Sequence, residues 1–173
     1  MKFWTRWQPP VMQSLPPQLR SWLTCTGSLT RQLQQSCDND FAVTVLQSGW
    51  HRPLPDEALI LKQPVVQLVF QREVHLLDGL QPQVYARTLI PLRTYHAMRR
   101  RFDVLGNQPL GEMLFNEPTL VRGPIQVAQL SPDELLYQLA TRHLDIKPDR
   151  LWGRRSCFYL GGKGMLVNEI FLP

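Results

Sequence analysis

The chain predicts an α+β fold, a single antiparallel β-sheet flanked by helices, with residues 1–173 forming one domain. Two hairpins are visible in the sequence. One turns at Asp78-Gly79 and the other at Gly161-Gly162-Lys163-Gly164, each between runs of strand-forming residues. Helix signals stand before and between these hairpins, and no internal repeat is present, which separates the pattern from a parallel βαβ array or a solenoid.

Proline-rich residues 9–17 lead into a helix over about 17–23. Ser28 or Thr30 caps a second helix with Leu29 and Leu33 on its apolar side. Phe41-Ala42-Val43-Thr44-Val45-Leu46 reads as the first strand, entered from the turn-rich Asp38-Asn39-Asp40. Residues 48–64 carry Gly49, Pro53, Pro55 and Pro64 and read as a loop with a short helical turn. A long strand over 64–77 then pairs across Asp78-Gly79 with a strand over 83–90. A helix follows over about 94–104, and a short one opens near Pro109-Leu110-Gly111. Residues 119–130 read as a strand broken at Gly123-Pro124. Ser131-Pro132-Asp133-Glu134 supplies a cap, an N1 proline and an acidic first turn for a helix to about His143. Strands over 151–160 and 165–172 close the chain.

One side chain in this pattern is out of place. Read with a period of two, the strand over 64–77 carries Val66, Leu68, Phe70, Arg72, Val74 and Leu76 on one face, and Gln67, Gln71, Glu73 and His75 among apolar residues on the other. Arg72 therefore points with the apolar set. A guanidinium keeps its proton, and burying it unpaired costs several kcal/mol. In the last strand Glu169 shares a face with Met165, Val167 and Phe171. Three readings stay open from pattern alone: Arg72 and Glu169 neutralise each other, Arg72 extends its head to a sheet edge, or both line a buried polar site.

Composition narrows the chemistry. A 173-residue chain with 43% hydrophobic and 19% charged residues is expected to build one soluble core, and its apolar runs are strand-sized. The N-terminus lacks a continuous apolar segment, so a secretory signal is not expected. Net charge is +5, and 15 of the 19 basic residues are arginine, which favours planar recognition of carboxylates or phosphates over a diffuse lysine coat. Arg99-Arg100-Arg101 lies on a predicted helix without an interleaved aromatic platform and reads as a solvated face, so nucleic acid is not an expected partner. Cys25, Cys37 and Cys157 are widely spaced and read as reduced thiols of a cytoplasmic protein. His51, His75, His96 and His143 show no metal-ligand spacing. With no phosphate loop and no nucleophile elbow, neither metal nor cofactor is expected.

Several blocks together resemble the chorismate pyruvate-lyase family, which opens ubiquinone biosynthesis in many bacteria. They are Gly27-Ser28-Leu29-Thr30, Arg72-Glu73-Val74, Ala86-Arg87-Thr88-Leu89-Ile90-Pro91, Leu105-Gly106-Asn107-Gln108-Pro109-Leu110-Gly111, Leu151-Trp152-Gly153-Arg154-Arg155-Ser156 and Asn168-Glu169-Ile170-Phe171-Leu172-Pro173. Each alone is weak; their order and spacing over nearly the whole chain are specific. The resemblance implies a ligand buried beneath helical flaps, chorismate as substrate, and 4-hydroxybenzoate and pyruvate as products, with no cofactor, no metal and a monomeric protein outside the membrane. It further implies that Arg72 grips a carboxylate, that Leu29 and Leu110 contact ligand largely through backbone amides, and that Glu169 lies near the ring's oxygen substituent and could hold or protonate the departing oxygen. Glu169 is expected to have no cationic partner of its own. Arg87, Arg154 and Arg155 are further candidates for the pyruvyl carboxylate, each more readily explained as a surface or structural arginine.

Two departures stand out. The family often has methionine where Leu29 stands, and residues 126–150 are longer than the family pattern suggests. Effector domains of some transcription regulators look similar in fold to these lyases. They usually follow a DNA-binding domain, which the short, proline-rich lead-in ahead of Arg72 does not resemble.

Overall fold

The computed structural model describes residues 1–173. Seven strands, β1 (Phe41–His51), β2 (Val69–Asp78), β3 (Gln81–Pro91), β4 (Leu120–Arg122), β5 (Gln126–Leu130), β6 (Leu151–Leu160) and β7 (Lys163–Phe171), form one sheet in the order β1-β2-β3-β7-β6-β4. β5 pairs with β6 beyond that path, and every ladder is antiparallel. Six helices are laid over it: α1 (Arg20–Thr24), α2 (Leu29–Ser36), α3 (Pro55–Ile60), α4 (Leu92–Asp103), α5 (Leu110–Phe115) and α6 (Leu135–Thr141).

Both sheet faces are covered, for different reasons. On one, Val74, Leu76, Val84, Ala86 and Phe171 pack under Leu23 of α1 and Leu29 and Leu33 of α2, while Ile90, Met165 and Phe158 pack under Met98 and Phe102 of α4 and Leu110 and Leu114 of α5. On the other, Tyr85 and Ile170 pack under Leu136, Tyr137 and Ala140 of α6, and Cys157 packs with Val69, Leu89 and Leu166 beside the end of α3. Within the segment 126–150, α6 thus covers the face that Arg72 does not use, while Val127 of β5 joins the core on the Arg72 face.

The apparently polar face of β2 is buried too: Gln71, Glu73 and His75 are 4%, 0% and 6% exposed. An ionic network makes this possible. Arg87 forks onto both oxygens of Glu57 at 2.8 and 3.1 Å and also donates to Glu73, which Arg142 reaches from the rim. Arg155 pairs with Asp56 at 2.9 Å, and Asn168 donates to Glu57. Buried charges persist where each meets an opposite charge and further hydrogen bonds.

Three expected boundaries shift. Residues 48–64 hold the expected short helical turn as α3, but β1 continues to His51 into the segment read as loop. The strand bearing Arg72 begins at Val69 rather than 64; Pro64 offers no donor, its carbonyl closes a turn onto Gln67, and Val66 is 73% exposed. The helix expected after Ser131 begins only at Leu135. There Lys2 donates to the Asp133 carbonyl and accepts from the Leu135 amide, so backbone groups of a would-be first turn are bound to the N-terminal segment.

Candidate active site

Strand register brings the odd side chains together. Arg72, Thr88, Val167 and Ser156 stand abreast on β2, β3, β7 and β6, and the next row on the same face is Val74, Ala86, Glu169 and Arg154. Arg72 and Glu169 thus lie two strands apart, roughly 10 Å laterally at the backbone. The positions between them on β3 are the small Ala86 and Thr88. That combination leaves a hollow, and a narrow cavity of about 40 Å³ occupies it, lined by Arg72, Glu169, Ala86 and Thr88 from the sheet and by Leu29 and Leu110 from the helices.

Arg72 is 6% exposed. Its Nη2 donates to the carbonyls of Gly106 and Gln108 at 2.9 and 3.0 Å, and no carboxylate pairs with it. Burial alone lowers its pKa to about 10, from an ordinary value above 12. The carbonyl dipoles fix the guanidinium against the α4–α5 connection without neutralising it. Gly106 has φ +47, a left-handed conformation that the lack of a Cβ permits, and its carbonyl faces Arg72.

Glu169 does have a cationic partner, contrary to the expectation. Arg154, 1% exposed, stands directly across the β6–β7 ladder, and its Nε donates to Glu169 Oε2 at 2.6 Å. The same guanidinium donates from Nη1 to the carbonyls of Trp22 and Cys25, tying the end of α1 to the sheet. Arg154 is neither a surface residue nor a free carboxylate receptor. Arg87 and Arg155, the other two candidates, belong to the network on the opposite face and do not line the cavity.

The roof is made by two helix starts. Ser28 caps α2, its Oγ accepting from the Arg31 amide at 3.3 Å, and this places Leu29 and Thr30 over the hollow. α5 starts at Leu110 after Pro109. At Gly111 a Cβ would come within 2.9 Å of Thr30 Oγ1, so a glycine lets the two roof helices meet. Leu29 and Leu110 are 3% and 7% exposed.

Arg122 on β4 also lines the cavity and was not among the expected residues. A signal existed: Leu120 and Arg122 share a strand face, opposite the 61% exposed Val121. The Arg154–Glu169 pair had one as well. Gly161 and Gly162, with φ +56 and +74, form a two-residue turn that sets Leu160 against Lys163 and, six rungs on, Arg154 against Glu169. A four-residue loop shifts that register by two residues.

Solved structures of transcriptional-regulator domains share this fold. The effector domain of PhnF from Mycobacterium smegmatis superposes with a TM-score of 0.57 at 15% identity, covering 84% of this chain and 88% of that one. A GntR-family transcriptional regulator from Enterococcus faecalis gives 0.55 at 11% identity, over 79% of this chain and 93% of that one. At such identities the likeness is one of fold. The profile of the chorismate lyase family matches residues 2–173, and the chain belongs to that family. It is similar to the probable chorismate pyruvate-lyases of Nitrosospira multiformis, at 34% identity over 95% of this chain and 91% of the relative, and of Methylobacillus flagellatus, at 40% over 89% and 86%.

Proposed function

We propose that this protein is a chorismate lyase, converting chorismate to 4-hydroxybenzoate and pyruvate at the start of ubiquinone biosynthesis, with residues 1–173 acting as one domain. The observation that carries the reading is Arg72: a buried guanidinium at a cavity wall, held by neutral carbonyls and paired with no carboxylate of the protein. A charge-assisted contact from its remaining donors, on Nε and Nη1, to the ring carboxylate would supply the missing charge. Leu29 and Leu110 close over the ring. Glu169, with Oε2 engaged by Arg154, keeps Oε1 as an acceptor for the ring's oxygen substituent.

The reaction breaks the bond between the ring and the enolpyruvyl oxygen together with the C–H bond on the neighbouring hydroxyl-bearing carbon. The electron pair left by that proton completes the aromatic ring, and the released enolpyruvate takes up a proton at its methylene carbon to become pyruvate. Aromatisation supplies the driving force, so orientation and charge placement suffice for the chain's contribution. In this geometry Glu169 orients the substrate and accepts a hydrogen bond. A cavity of roughly 150 Å³ accommodates a benzene ring, whereas the present space is about 40 Å³, so α2 and α5 must part slightly to admit a ring.

The reading takes the protein to act as a monomer. The free cysteines Cys25, Cys37 and Cys157 fit a reducing, cytoplasmic compartment, and no helix is long and apolar enough to cross a membrane. The test is incubation of purified protein with chorismate, with and without a chelator, followed by chromatography of the aromatic product and enzymatic assay of pyruvate. Equimolar 4-hydroxybenzoate and pyruvate in both arms is the expected result; no consumption of chorismate would overturn the assignment.

A further inference from the structure

Three arginines and one carboxylate meet at the cavity: Arg72, Arg122, Arg154 and Glu169. Arg154 and Glu169 cancel at 2.6 Å. Two guanidiniums remain without a carboxylate, and they approach from opposite sides. Arg72 rises from β2 and Arg122 from β4, four strand spacings away, roughly 19 Å at the backbone, a gap that two long side chains reaching inward largely close.

Arg122 matches Arg72 in kind. Its protein partners are neutral oxygens: Ser156 Oγ at 3.0 Å from Nε, and the carbonyls of Cys25 and Gly27, each at 3.2 Å from Nη1. Its Cζ lies over the Phe158 ring, 5.0 Å from the ring centre. Nη2 is left without a protein partner. Burial, and then the neighbouring Arg154 charge, lower its pKa, and Glu169 only partly offsets them. Arg154 is the weaker candidate for the same task, because its charge is already met by Glu169.

We infer that Arg122 receives the second carboxylate of the substrate, the one on the enolpyruvyl arm, while Arg72 receives the ring carboxylate. This rests on the proposed reaction: chorismate carries two carboxylates, and the cavity holds two unneutralised cations at opposite ends. The placement also orients the departing group. The ring hydroxyl can donate to Glu169, and the arm's carboxylate is anchored to a guanidinium that is itself bound to the loop entering α2. 4-Hydroxybenzoate has a single carboxylate and no enolpyruvyl arm, so its binding should not draw on Arg122.

That difference provides the test. Arg122→Gln and Arg122→Lys are compared with the natural protein in chorismate turnover and in the Kd for 4-hydroxybenzoate, measured by calorimetry. The expected result for Arg122→Gln is a fall in kcat/KM of about 100-fold or more, with the 4-hydroxybenzoate Kd changed by less than about 3-fold. Arg122→Lys, which keeps the charge without the fork, should fall between the two. Parallel losses in both measurements would make Arg122 a loop anchor through its bonds to Cys25 and Gly27, and would overturn the inference. Unchanged turnover would also overturn it. Retained 4-hydroxybenzoate binding doubles as proof that the variants fold. Failure of the underlying reaction is distinguishable, because the natural protein itself would then leave chorismate unchanged.

Discussion

Arg154 stands directly across the β6–β7 ladder from Glu169, and its Nε donates to Glu169 Oε2 at 2.6 Å. Arg72, the other inward charge, is two strands away and bonds only to the carbonyls of Gly106 and Gln108. The two inward charges visible in the sequence are thus not each other's partners. One is neutralised within the protein, and the other faces the cavity unneutralised.

Breaking the Arg154–Glu169 pair should therefore couple strongly, and Arg72 should not couple to it. In double-mutant cycles of Arg154→Met with Glu169→Gln, the interaction energy in urea unfolding is expected at about 1–3 kcal/mol, because either single change strands a charge. The cycle of Arg72→Met with Glu169→Gln, without ligand, should give less than about 0.5 kcal/mol. A large coupling in the second cycle would contradict the observed separation.

Arg72 should resist replacement. Arg72→Ala removes the cation assigned to the buried ring carboxylate, and should weaken 4-hydroxybenzoate binding by roughly 2–5 kcal/mol with a comparable loss in kcat/KM. Arg72→Lys keeps the charge but loses the planar fork, and should also lose most activity. Near-normal turnover by the Ala variant would remove Arg72 from the site.

Gly111 should be needed for closure rather than for folding. Gly111→Ala sets a methyl group 2.9 Å from Thr30 Oγ1, which holds the two roof helices apart. The expected effect is about a tenfold or greater loss of 4-hydroxybenzoate affinity with little change in melting temperature. Adding Thr30→Ala removes the nearest clashing atom and should restore part of it. If Gly111→Ala binds normally, the roof is looser than its packing indicates.

Asp56 should give the protein a pH-dependent stability on the face away from the cavity. Its Oδ2 accepts from Arg155 and from the Trp7 indole, while Oδ1 is buried without a partner. Burial, followed by the adjacent Glu57 charge, pushes its pKa up to about 6, against 3.8 in an open chain. The folded state then binds the proton more tightly than the unfolded chain does. This group's contribution to stability should decline as pH rises from about 4 to about 6 and level off above that. Asp56→Asn, which cannot titrate, should flatten that slope in a pH series of urea unfolding curves; an unchanged slope would assign it to other groups.

The sequence by itself determined the hairpins, the run of helices between them and the inward direction of Arg72 and Glu169. These follow from short-range rules: turn chemistry at Asp78-Gly79 and Gly161-Gly162, the Ser28 cap, and the period of two along a strand. Leu29 and Leu110 were legible through the motifs containing them rather than through any physical pattern. What only the tertiary structure decided was which charges meet. Arg87 and Arg155 look like Arg154 along the chain, yet the alternation of β3 and β6 sends them to the opposite face, where Glu57 and Asp56 of α3 await them. Arg154 meets Glu169 because a two-residue turn sets the register, and Arg122 reaches the cavity because β4 pairs with β6. Local sequence specifies the direction of a side chain; its partner depends on strand order and register, which are settled by the packing of the whole sheet.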